Sequence, residues 1–248
     1  MTRAKTLRRL AAALALTLAF ASPAAAERIA REAAAEELQT IPLYSMLAKH
    51  YPAVYAQVLD GLVQGINGGR PHKAMVADLN AVVVQLVAQQ TPKANIENTL
   101  AVLKLTREQA KVTLARDPAG CLSILGVRQY DIAAVRALPE DLTQREMSVM
   151  TKLLEQTALA PEAPAVRINE KALEAIAMDA YDQLSDDRLR VAFGEIGGDP
   201  AKANDPLSQT AFCEFSIAMF DILLAMPPIE GAQNFRALNA LGEAAATP

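Results

Sequence analysis

Apolar residues recur along this chain at three- and four-residue intervals, and runs alternating at every second position are absent. That period places one stripe of side chains on one side of a helix. Val54, Val58, Leu62 and Ile66 fall on a single face of a helix predicted over 52–66, with Tyr51 and Tyr55 beside them. Met75, Leu79, Val82, Val83, Leu86 and Val87 make a wider stripe over 71–90. The same spacing puts Leu142, Met147, Met150, Leu153 and Leu154 inward over 139–158. It does so for Leu173, Ile176, Ala177 and Leu184 over 169–184, and for Leu189, Phe193 and Ile196 over 185–196. The last helix, 228–242, presents Ile229, Ala232, Phe235, Leu238 and Leu241.

Proline punctuates the pattern. Pro42, Pro52, Pro71, Pro92, Pro118, Pro139, Pro206 and Pro228 each precede a helix-period stretch, where a missing N–H costs nothing. Gly68-Gly69 ends one helix, Asn169 and Ser185 are placed to cap two others, and 197–205 is rich in turn residues. Shorter elements are expected over 27–39, 42–49, 96–105, 118–126 and 130–138. Thr106-Arg107-Glu108-Gln109, preceded by Leu105, has the form of a capping box with its hydrophobic staple, so a new helix is expected to start at Thr106. The fold class expected is all-α, a multi-helix bundle of about ten elements without a sheet.

Residues 206–226 stand apart. They are apolar over most of the helical circumference, and only Thr210, Glu214 and Asp221 form a thin polar stripe. Such a helix belongs among other helices, so it is expected at the centre of the bundle. Its length would also span a bilayer, but Glu214 and Asp221 would then lie in lipid and its flanks carry no basic anchors. No stable membrane span is therefore expected after leader removal. Basic neighbours for the stripe are sought among Arg128, Arg136, Arg167, Arg188, Arg190 and Arg236.

The first residues alter the setting. Arg3, Lys5, Arg8 and Arg9 precede an apolar run, 10–20, then Pro23 and the small residues Ala24-Ala25-Ala26. This is the three-part pattern of a secretory leader, cleaved after Ala26; the run is short of the ~20 residues of a span. The protein is expected in the periplasm or outside the cell. Loss of the leader removes four basic and no acidic residues and takes the net charge from −4 to −8. Such an acidic chain is a poor partner for nucleic acid. The remainder, 27–248, is read as a single helical domain; the alternative is two lobes, 27–158 and 169–248, joined by the proline-bearing segment 159–168.

Two cysteines, Cys121 and Cys213, remain in an oxidising compartment. A bond between them is expected, worth about 4–5 kcal/mol on a chain-entropy model; two buried free thiols are the alternative. Neither lies in Cys-x-x-Cys, and their apolar surroundings disfavour a reactive thiolate.

Motifs with chemistry are sparse. The chain has no Gly-x-Ser-x-Gly, His-Glu-x-x-His, phosphate-binding loop, EF-hand loop or haem-attachment motif, and no cofactor or metal is expected. The polar candidates are His50 and His72, both beside prolines at helix ends, and Glu214 and Asp221, seven apart on one helix face. The histidines lack the further ligands of a metal site, and His50 at a helix C-terminus suits the dipole alone. Paired carboxylates can do acid–base work, yet more often mark where a core helix meets solvent.

Two resemblances add context. Leu105-Thr106-Arg107-Glu108-Gln109 resembles the Leu-Thr-x-x-Gln motif of helical periplasmic chaperones of the Spy and CpxP type, and Leu142-Thr143-Gln144-Arg145-Glu146 is a second copy ending in Glu instead of Gln. This chain is longer and more apolar than those chaperones. Asp117-Pro118-Ala119-Gly120-Cys121, with Cys213 and the Leu-rich run up to Pro227, resembles exported all-α proteins of proteobacteria. That likeness implies architecture and no activity. The leading functional expectation is a non-catalytic exported protein that binds a partner protein or an envelope component. A lipid or small-molecule carrier, a chaperone-like protein and an enzyme with a dispersed site are the alternatives.

Overall fold

The computed structural model describes residues 30–127, 133–134, 137–163 and 170–246. Residues 1–29, which include the expected leader, lie outside them, as do Asn169 and most of 130–138. Among the described residues there are eleven α-helices, two 3-10 turns and no strand. In chain order the helices are α1 (Arg31–Gln39), α2 (Pro42–His50), α3 (Pro52–Asn67), α4 (His72–Gln90), α5 (Ile96–Leu114) and α6 (Pro118–Ile124). They continue with α7 (Glu140–Leu159), α8 (Glu170–Asp182), α9 (Asp187–Ile196), α10 (Pro206–Ala225) and α11 (Pro228–Ala246). The 3-10 turns are Thr91–Lys93 and Pro200–Lys202.

Pro42, Pro52, Pro118, Pro206 and Pro228 begin α2, α3, α6, α10 and α11. Asp-Pro is a recurrent start. The side chains of Asp117, Asp199 and Asp205 accept hydrogen bonds from the backbone N–H groups of Ala119, Ala201 and Leu207, which the helix itself leaves unpaired. Gly69 and Gly197, at φ 65° and 59°, occupy the left-handed region that ends α3 and α9.

Two boundaries and one inward position differ from the sequence expectation. No helix begins at Thr106: α5 runs without a break from Ile96, and Asn95 is its cap, accepting from Asn98 N at 2.9 Å. The inward face stays in phase across Thr106, through Thr99, Leu103, Gln109, Ala110 and Thr113, so burial holds the helix together. Asp186 caps α9 in place of Ser185, which is engaged elsewhere. Ile229 is 59% exposed, because the buried face of α11 starts at Ala232 and Phe235.

Two packing centres organise the chain. The larger core gathers Leu38, Leu47, Val58, Leu59, Leu86, Leu153 and Leu154 from α1–α4 and α7. The other surrounds α10, which contributes Cys213 and Ile217 to one cluster, Leu223 to a second and Ala211 to a third. α10 packs against α5, α6, α8, α9 and α11. Tyr181, Phe193, Phe212 and Phe215 gather on it, with the Phe193 and Phe215 rings 4.3 Å apart. Against α11 the approach is so close that a Cβ on Gly231 would overlap the Leu223 carbonyl. Cys121 of α6 and Cys213 of α10 form a disulfide, both fully buried, with Cα atoms 6.3 Å apart.

α5 joins the two centres. Its Val102 packs on the larger core, while Leu103 and Ala110 enter clusters around α10. α5 and α7 run antiparallel: Asn95 N bonds to Gln156 Oε1 near one end, and Arg116 donates to the Ala137 carbonyl near the other. Thus α5 and α6, which precede segment 159–168, pack on α10 and α11, which follow it.

Candidate binding groove

The polar stripe of α10 lies along a groove of about 370 Å³. Lys111 and Leu114 of α5 and Ala115, its C-cap, form one wall, and Glu214, Ile217, Ala218 and Asp221 of α10 form the other, with Gln183 just past the end of α8. Glu214 and Asp221 share the groove because seven residues is close to two helical turns, about 10 Å along the axis. The third member of the stripe, Thr210, turns back on its own helix and donates to the Pro206 carbonyl at 2.7 Å.

Each carboxylate is held by the protein. Asp221 takes Lys111 Nζ at 3.0 Å and an ion pair from Arg107. Arg107 and Lys111 are four apart, hence on one face of α5. Glu214 Oε2 accepts from Ser185 Oγ at 2.8 Å and from Ser185 N at 3.2 Å. The expected arginine partners are otherwise engaged: Arg188 with Asp186, Arg190 with Asp187, and Arg236 with Glu162. Arg128, Arg136 and Arg167 lie outside the described residues. The real partners were hidden because Arg107 read as part of a capping motif, and only the crossing of α5 over α10 brings it and Lys111 to Asp221.

The histidines are not part of this groove. His50 ends α2 and His72 begins α4. Among the described residues no group of three His, Cys, Asp or Glu side chains is placed to hold a metal ion. Chemically, Asp221 is engaged by two cations, Arg107 and Lys111. Glu214 keeps Oε1 free of donors from the described residues. The apolar floor of Leu114, Ile217 and Ala218 fits the aliphatic part of a bound group.

A second polar cluster lies where α5 crosses α7. Here the two Leu-Thr segments face each other: Gln109 Nε2 donates to Glu146 Oε2 at 3.0 Å, and Arg145 pairs with Glu108. Leu105 and Leu142 share the small core beneath them with Leu138. Glu146, where the second copy departs from the first, is the residue that bonds the first copy's Gln109. Burial pushes the Glu146 carboxyl up to about 7 from the ordinary 4.5, opposed by the Gln109 bond. The folded chain therefore holds a proton that the unfolded chain has lost between these values. The associated stability is complete below 4.5 and is lost as pH rises through 7. Glu146→Gln removes that loss: thermal melts should show the variant a few degrees (~3–6 °C) above wild type at pH 8 and level with it at pH 4.5.

Comparison with known proteins adds no family. No protein-family model, curated protein or solved structure matches the chain.

Proposed function

We propose that this chain is an exported, non-catalytic binding protein whose groove between α5 and α10 holds a segment of a partner protein. The observation that carries this reading is the groove's make-up: an apolar floor from α5 and α10, bordered by charges already fixed in place. Fixed borders need little reordering when a segment docks, which lowers the cost of binding. Catalysis would need a base and a nucleophile converging on one reacting atom. Instead, Asp221 is bound by Lys111 and Arg107, and the Ser185 hydroxyl donates to Glu214. Export is supported by the leader-like first 26 residues and by the Cys121–Cys213 bond, which suits an oxidising compartment.

Ala115 is exposed on the groove wall, so Ala115→Trp fills the groove without touching the core. Affinity purification from the compartment that receives the protein should return one stoichiometric partner with wild type and lose it with Ala115→Trp. Equal recovery with both proteins would place the contact elsewhere. A retained lipid in native mass spectra, with no protein partner, would favour the carrier reading.

A further inference from the structure

We infer that the groove selects a lysine side chain of the partner segment, its ammonium at Glu214 Oε1 and its aliphatic stem along Leu114, Ile217 and Ala218. This rests on the partner-segment reading above and names the chemistry that would be recognised.

The charges at the groove are unevenly shared: both cations, Lys111 and Arg107, sit on Asp221, and Glu214 has none among the described residues. Two carboxylates, Glu214 and Asp221, face it with one cation, Lys111, whose Nζ is committed to Asp221 at 3.0 Å. Arg107 strengthens that commitment and pairs with the same carboxylate. Glu214 has no ion-pair partner among the described residues; its only donors there are the Ser185 N–H and O–H. A cation from outside therefore completes the site, while an anion would meet Glu214 without a free positive group.

The geometry separates lysine from arginine. A guanidinium binds best when both carboxylate oxygens are open to its planar fork. Glu214 Oε2 already takes two hydrogen bonds from Ser185 and Oε1 alone remains. One open oxygen suits the point charge of an ammonium. The floor supplies the rest: a lysine buries its methylenes on apolar surface while its head stays at a polar border. At about 370 Å³ the groove has room for the stem and part of a flanking residue.

The test uses a short neutral-ended peptide, acetyl-Ala-Leu-Lys-Leu-Ala-amide, and three relatives with arginine, norleucine or glutamate at the centre. Binding is read by amide chemical shifts of the isotope-labelled oxidised protein, with Ala115 and Ile217 as groove reporters. The lysine peptide should bind about threefold or more tightly than the norleucine peptide at low salt, the size expected of a half-exposed ion pair, with the advantage shrinking as salt rises. Arginine should fall between them and glutamate should bind least. Glu214→Gln keeps an acceptor for Ser185 and should erase the lysine advantage while leaving norleucine affinity unchanged. A lysine preference that survives Glu214→Gln, or equal binding of lysine and norleucine peptides to wild type, overturns the inference. In the second case the groove still binds segments and the broader reading stands. If no peptide moves the groove reporters, both readings fall.

Discussion

The Cys121→Ala/Cys213→Ala double variant unfolds about 3–5 kcal/mol more readily than the disulfide-bonded protein in urea at neutral pH. The bond closes a loop of sequence separation 92, so its loss releases much conformational freedom in the unfolded chain. Both cysteines are fully buried, and alanine keeps them apolar while leaving only small voids, which add to the cost. The position matters as much as the loop. The bond ties α6 to α10, and α5, which lines the groove, packs on both. Loss of the bond should therefore also weaken segment binding. A cost below about 1 kcal/mol would mean that helix packing alone holds α6 on α10.

Arg236→Met lowers stability by about 3 kcal/mol, the second large effect expected. Arg236 is buried, with a side chain 5% exposed. Its Nε donates to the Pro92 carbonyl at 2.8 Å, one guanidinium nitrogen pairs with Glu162 at 2.8 Å, and the other bonds the Ala163 carbonyl. One side chain thus fastens α11 to the 3-10 turn before α5 and to the segment after α7. Glu162 N also donates to the Lys93 carbonyl at 2.9 Å, so the two fastened strips of backbone hold each other as well. Removing the fork leaves two carbonyls without their donor, which costs more than the net worth of the bonds. Arg236→Lys should recover little, since one ammonium cannot reach three acceptors in fork geometry. Glu162→Gln should cost far less, because the Glu162 side chain is 42% exposed and solvent screens the pair. Urea midpoints of the three variants test this order; an Arg236→Lys midpoint equal to wild type would refute the fork.

Helix-period stripes made most of the fold legible in the chain. Val58, Leu62, Leu79, Val83 and Leu153 are buried as their spacing requires, since a one-sided stripe leaves few arrangements besides packed helices. The cysteine pair was legible too, from an even count and the oxidising compartment expected of an exported chain. What escaped was set by tertiary contact. Thr106-Arg107-Glu108-Gln109 has the local form of a helix start, but burial of Leu103, Gln109 and Ala110 along one face carries α5 straight through it. Ser185 and Asp186 are both good caps; Glu214 takes the first, leaving the second to begin α9. For the site, Glu214 and Asp221 were visible as one stripe, whereas Lys111, Leu114 and Ala115 could be assigned to the same groove only once α5 lay across α10. Gln109 and Glu146 stand in corresponding positions of the two Leu-Thr segments, a correspondence that gave no sign of their direct bond.

Photo-crosslinking in the living cell tests the proposed function most directly. A photoreactive residue is placed at Ala115 or Gln183 on the groove, and at Asp78, an exposed position on α4 outside the groove, as the control. The groove account predicts one discrete crosslinked partner from Ala115 and Gln183, absent from Asp78 and, for the Gln183 probe, lost in Ala115→Trp. Equal crosslinking from Asp78, or none from either groove position, would contradict it.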